Sequence, residues 1–208
     1  MDMHAPKKWL AVLGALYFVL FIGLALDPID RATWYAENLT VWILVGVMLV
    51  LYVRNIRFSL MAYLMMSFLI YLHTIGGHYT FAKVPFGFVT DLFGFERNNY
   101  DRIAHFSVGF YAFAVAEWLF VTRAVKNRFL LFTYPVFTIA TVAMSYEVIE
   151  WLYAAGNDPA AGAAYLGSQG DTWDAQKDML ADTLGAISAM IFFFWYHGFR
   201  RLRTSLDG

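Results

Sequence analysis

The chain has 208 residues, of which 60% are hydrophobic and 19% aromatic, with a formal net charge of −1 and a mean hydropathy of +0.53. That is too apolar for an ordinary soluble domain, and one integral membrane domain over residues 1–208 is expected. With no cysteine, disulfides, thiolate ligands and cysteine nucleophiles are excluded, and any metal must be held by His, Asp and Glu.

Six apolar stretches near the roughly 20 residues needed to cross about 30 Å of hydrocarbon predict an all-α, polytopic fold. The spans are expected at about 9–26, 39–53, 58–73, 103–121, 129–152 and 176–199. The first resembles a signal peptide in position, but its apolar run is too long and lacks a small-x-small cleavage site, so it reads as a retained span. The second and third are short and extend toward Trp34, Tyr35 and His73, since interfacial aromatics anchor helix ends. Asn38-Leu39-Thr40 matches a glycosylation sequon, a pattern frequent by chance and here abutting a span. Lys7, Lys8, Arg54, Arg57, Arg123, Lys126, Arg128, Arg200, Arg201 and Arg203 all fall on one side of six spans. The positive-inside rule then predicts an inner-membrane protein with both termini in the cytoplasm. The opposite side is acidic, and no basic patch exists beyond these anchors, so nucleic acid is not an expected partner while membrane lipid is.

Two connections on the acidic side are long. Residues 79–100 hold Phe and Tyr around Lys83, Pro85 and Gly87, suited to lying at the bilayer interface or folding over a cavity, and equally to anchoring at headgroup level. Residues 154–170 are rich in Ala and Gly with Pro159, the composition of a mobile lid or of a plain linker.

The polar residues gather at the span ends on that side. His73 closes the third span and is followed by Gly76, Gly77 and His78; Asp101 and His105 open the fourth as an i, i+4 pair. Glu147 and Glu150 sit at i, i+3 near the end of the fifth, and Asp174, Asp178 and Asp182, at i, i+4 and i+8, share one face of the sixth behind Asp171. A charge at the bilayer centre costs roughly 2.5–3.5 kcal/mol on insertion scales, so such a stripe is expected to face protein, a partner or water. Plainer roles are open to each. Asp101, Asp171 and Asp174 stand where carboxylates cap helix N-termini, and His73 where a histidine caps a C-terminus. Glu147 and Glu150 lie where the helix dipole disfavours negative charge and need a counter-charge, a metal or a proton, as do Asp178 and His105. Asp182, the deepest, reads as a protonated acid or a helix–helix hydrogen-bond partner. Glu117, His4 and His197, at the other end, are expected to be structural.

Histidines with several carboxylates form the ligand set of a divalent Zn, Mn or non-haem Fe ion. HExxH, GxSxG and P-loop patterns are absent, and Ser107 and Ser168 lack a context for a Ser-His-Asp reading. The expected metal ligands are His73, His78, Asp101, His105 and Asp178, and the expected acid–base residues Glu147, Glu150 and Asp174.

Through HTIGGHYTF (73–81), ERNNYDRIAHF (96–106), YEVIEW (146–151) and GSQGDTWDAQKDML (167–180), the chain resembles the uncharacterised bacterial inner-membrane family typified by YjdF. More distantly it is similar to the VanZ-like membrane proteins, whose D-x-x-x-H-F, span-end Glu and Asp-plus-small-residue helix parallel Asp101 and His105, Glu147, and Asp178 with Gly185; Asp182 and Glu150 depart from that pattern. The resemblance implies a polytopic fold with a shared outer-leaflet site and little about chemistry. The residues point to metal-dependent hydrolysis or modification of a lipid or envelope-precursor head group. The alternatives are an ion- or proton-coupled transporter of a small solute, and a structural membrane protein without catalysis.

Overall fold

A computed structural model describes residues 4–156, 166 and 168–198, and within them the chain is all-helical. Its elements are α1 (Lys7–Ala25), α2 (Arg31–Val53), α3 (Leu60–Tyr79), the short α4 (Gly87–Phe93), α5 (Tyr100–Val108), α6 (Tyr111–Val121), α7 (Arg128–Gly156) and α8 (Asp174–His197). Six stretches are long and apolar enough to cross a membrane: α1, α2, α3, α5 joined to α6, α7 and α8. Most of the 154–170 connection lies outside the described residues.

Two helix boundaries differ from the sequence reading, and both differences bear on the site. The second span begins at Arg31 instead of residue 39, because Asp30 caps the helix by accepting a 2.6 Å hydrogen bond from the Thr33 N–H. That bond also holds the Asp30 carboxyl below its ordinary range. The early start brings Trp34, Glu37, Asn38 and Val41 onto one buried face of α2. Asn38 has no exposed surface and donates to the Trp34 carbonyl at 2.8 Å, so the sequon is a buried helix contact and no glycosylation site. The third span runs on to Tyr79 through Gly76 and Gly77. A Cβ at Gly76 would stand 2.3 Å from the Phe81 ring, and one at Gly77 would stand 3.0 Å from Glu37 Cβ. These glycines are sites of close packing inside a helix, not helix breakers.

The bundle is built around α3 and α8. α3 packs against α1, α2, α5 and α6, and α8 against α5, α6 and α7. α1 is peripheral, with none of its residues buried, and is tied down where the Tyr71 hydroxyl donates to the Leu13 carbonyl at 3.0 Å. Exposed hydroxyls on α7, including Thr133, Thr138 and Thr141, each donate 2.8 Å to the carbonyl four residues back. In hydrocarbon this satisfies them without a partner helix. The 79–100 connection divides its labour: Phe81 and Val84 are buried beside Tyr100 and Ala104, while Phe88, Leu92 and Phe93 of α4 are exposed, an apolar surface suited to the membrane interface.

α5 and α8 approach each other backbone to backbone. At residues 107–113 the helix tightens through i−3 bonds, Phe110 to Ser107 at 3.1 Å and Ala112 to Gly109 at 3.0 Å. There Gly109 meets Gly185: a Cβ on Gly185 would fall 1.9 Å from the Phe106 carbonyl oxygen, and one on Gly109 2.1 Å from the Ala186 nitrogen. Such backbone contact is the small-residue packing that apolar helices use in lipid. Gly185→Ala is therefore expected to destabilise the fold by about 1–3 kcal/mol or more, because no flexible side chain can give way. Gly46→Ala, with open space around it, is expected to be neutral or slightly stabilising. Thermal unfolding of the detergent-solubilised protein distinguishes the two.

Candidate functional site

One turn beyond the Gly109–Gly185 contact, the acidic stripe of α8 faces α5. Asp174, Asp178 and Asp182 are 8%, 3% and 1% exposed, so the stripe points into protein. Arg97 and Arg102 supply the counter-charge. Arg102 forks between Asp178 and Asp174, with Asp171 at 3.5 Å; Arg97 also binds Asp174, reaches Asp171 at 3.6 Å, and donates to the Ser168 carbonyl at 3.2 Å. At the surface Lys177 donates to Asp171 at 2.6 Å and holds that carboxyl below its ordinary range. Asp101 and Asp174 thus sit in first helical turns, as capping would place them, but their carboxylates face side-chain cations.

Deeper in, His105 stands among three carboxylates. Its Nδ1 is 3.3 Å from Asp182 Oδ2, while Nε2 is 3.6 Å from Asp101 Oδ1 and 3.7 Å from Asp178 Oδ1. A carboxylate on Nδ1 favours the tautomer whose proton sits there and turns the Nε2 lone pair toward the other two acids. One ligand atom each from Asp101, His105 and Asp178 lies within 4.8 Å of the others, close enough to hold one metal ion. Asp182 fills the helix–helix hydrogen-bond role foreseen for it.

This cluster forms one end of a cavity of about 290 Å³. Glu37, His73, Glu150 and Asp182 line the same polar end, and Leu44, Leu69, Val108, Val115 and Ile139 line the rest. His73 is buried, with Nε2 3.0 Å from Glu37 Oε2, an ion-pair contact not aligned as a hydrogen bond. Glu147 is buried, and its Oε1 has no hydrogen-bond partner among the described residues. Two expected members stand elsewhere. His78 donates through Nδ1 to the Leu24 carbonyl at 2.8 Å, so it fastens α1 to α3 and is no part of the group. Asp174 is taken up by the two arginines and does not line the cavity.

Glu37, Arg97 and Arg102 are site residues that the sequence reading did not single out. The cap at Asp30, followed by apolar and polar positions at 34, 37, 38 and 41, was the available signal for Glu37. For Arg102 it was the adjacency of a base to Asp101 at a helix start on the acidic side.

The fold and site define a polytopic helical membrane protein with a buried Asp/His cluster at one end of its bundle. Residues 9–199 match the family described as "Predicted membrane protein (DUF2238)", and the chain belongs to that family. The inner membrane protein YjdF of Escherichia coli (strain K12) is 35% identical to it over 185 residues, covering 86% of each chain. This chain is thus a multi-pass protein of an inner-membrane family. No solved structure gives a significant match.

Removing Arg102 leaves Asp178 buried without its arginine, while Arg97 still holds Asp174. Arg102→Ala is expected to destabilise the protein by about 3–5 kcal/mol, the usual consequence of stranding a buried ion-pair partner. Adding Asp178→Asn should recover part of that loss, which a double-mutant cycle of thermal unfolding measures.

Proposed function

We propose that the protein is an inner-membrane enzyme in which Asp101, His105 and Asp178 hold a divalent cation at the head of the cavity, for hydrolysis or modification of a lipid or envelope-precursor head group at the outer leaflet. The observation that carries this is the Asp182 contact to His105 Nδ1, which leaves Nε2 turned toward Asp101 and Asp178. Carboxylate-oriented imidazole is the common outer-shell arrangement of metal sites. The donor set fits: two carboxylates and one neutral imidazole suit Zn²⁺, Mn²⁺ or Fe²⁺, and a carboxylate has lone pairs enough for Asp178 to accept Arg102 and a metal together.

The charge balance supports the same reading. Asp101, Asp174, Asp178 and Asp182 outnumber the two arginines, which reach the first three, while Asp182 meets only His105; an added cation offsets that excess. A divalent ion there would polarise a phosphoryl or carbonyl oxygen or lower the pKa of water. Arg97 and Arg102 fix the carboxylates, His73 and Glu37 form the facing wall, and Glu150, which lines the cavity, is placed to move a proton. Glu147 supports it from the next turn of α7, and Asp174 positions the arginines instead of acting on substrate. Alignment with the positive-inside rule puts this end outside the cytoplasm.

Elemental analysis of the protein purified without chelator tests the reading. Stoichiometric metal is expected, lost in His105→Ala and Asp178→Asn, and bound about 10–100-fold more weakly in Asp182→Asn. Absence of metal after purification and after titration with Zn²⁺, Mn²⁺ and Fe²⁺, or metal unchanged in those variants, overturns it.

A further inference from the structure

The cavity is walled on opposite sides by helices that make their main contacts elsewhere. α2 packs on α3, and α7 on α6 and α8, yet Thr40 and Leu44 of the first and Thr138, Ile139 and Val142 of the second line the same space. Val142 is at once a lining residue and 53% exposed, and Thr138, one turn earlier on the same face of α7, also lines the cavity and is exposed. In a membrane those surfaces meet acyl chains, so the seam between α2 and α7 opens sideways into hydrocarbon. A ligand using that route carries an apolar tail along Leu44, Ile139 and Val142 and a polar head among Glu37, His73, Glu150 and the Asp101–His105–Asp178 group. A volume of about 290 Å³ is at the small end of ligand pockets, enough for a head group while the chains remain in the bilayer.

The sign of the head group follows from the lining. Among the described residues no Lys or Arg lines the cavity, because Arg97 and Arg102 are turned to Asp171, Asp174 and Asp178. Asp182, 1% exposed, keeps Oδ1 without a hydrogen-bond partner, and Glu150 makes no hydrogen bond among the described residues. A buried acceptor left unmade costs about 1–3 kcal/mol, so the wall lacks a donor that a ligand can bring. An anion alone would face Glu37, Asp101, Glu150, Asp178 and Asp182, with only His73 and His105 to offset them, and both histidines already sit against carboxylates. An ammonium group supplies three donors and a positive charge.

We infer that the cavity takes an aminophospholipid from the surrounding leaflet through the α2–α7 seam, its ammonium group against Glu37 and Glu150 and its phosphate toward Asp101, His105 and Asp178. The placement of the phosphate rests on the cation proposed above; the ammonium end and the lateral route do not.

The probes are phosphatidylethanolamine and phosphatidylglycerol, offered together in equal amounts to the full chain in detergent, with retained lipid read by native mass spectrometry and metal by elemental analysis. Preferential retention of phosphatidylethanolamine by about tenfold or more is expected. Glu150→Gln should erase the preference, and Val142→Trp or Thr138→Trp, both at the lipid-facing rim where bulk is tolerated, should remove retention of either lipid, all three with metal content unchanged. Equal retention of the two lipids, a preference that survives Glu150→Gln, or retention unaffected by both rim variants overturns the inference. Protein without metal that keeps the preference overturns the cation reading alone; protein with metal and no preference overturns this one alone.

Discussion

The contact of Gly109 with Gly185 is the constraint on which the site depends. With backbone against backbone, α5 and α8 are as near as helices can lie, and residues one turn away, His105 on one and Asp182 on the other, must then meet. The tightened turn at Gly109 and Phe110 also separates α5 from α6, so the first part of this span aims its polar face at α8 while the second contributes to the apolar core around Phe113 and Phe193. A larger residue at either glycine would lengthen the contacts of His105 and Arg102 with Asp178 and Asp182 together, while the i, i+4 contact of His105 with Asp101 within α5 would remain.

That enforced proximity brings carboxylates together faster than it supplies cations. Buried ion pairs of this kind are poor sources of stability, since desolvation offsets much of the Coulomb gain and hydrophobic replacements are often as stable. The gathering of ionisable side chains from five helices, α2, α3, α5, α7 and α8, around one cavity is therefore better accounted for by what the proposed site would hold than by what the bundle needs. The peripheral pairs differ: Lys177 with Asp171 is exposed and screened, and contributes little beyond ordering the approach to α8.

The fold was legible because lipid imposes a simple rule, a run of apolar residues long enough to span, and six such runs were there to read. The convergence of the α8 stripe with Asp101 and His105 was legible too, since i, i+4 spacing on two helices at one depth leaves few arrangements. What escaped were features whose meaning lies in a partner. Glu37 looked like loop because polar residues at a span's edge break the apolar run, and only burial against Gly77 reveals it as part of the wall. Gly76 and Gly77, beyond the expected end of the third span, are packing surfaces of a helix that runs on to Tyr79. His78, five residues beyond His73 on α3, is turned about 140° from it by the 100° step per residue and ends on the Leu24 carbonyl. Arg97 and Arg102 were visible as charges but not as partners, since pairing across 69 to 77 positions of sequence leaves no local mark.

The opposite end of the bundle shows the same residue types put to a different use. Glu117, 1% exposed, accepts a 3.0 Å hydrogen bond from the Ser59 N–H at the start of α3, with His197 Nε2 at 3.9 Å on the last turn of α8. That carboxylate satisfies an otherwise orphaned N–H of a helix start and fastens three helices together, the structural role its position suggested. Between Asp182 and His197, α8 buries Ala186, Ala189, Met190 and Phe193, packed against Ala112, Phe113 and Ala116 of α6. A conduit joining the two polar ends would have to pass through this layer, in which no Asp, Glu, His, Lys or Arg stands among the described residues. The cavity at the Asp101 end stops above it and opens sideways instead. A pocket with carboxylates and histidines at its head and an apolar layer beneath it fits the proposed entry of a lipid from the membrane better than it fits a path across it.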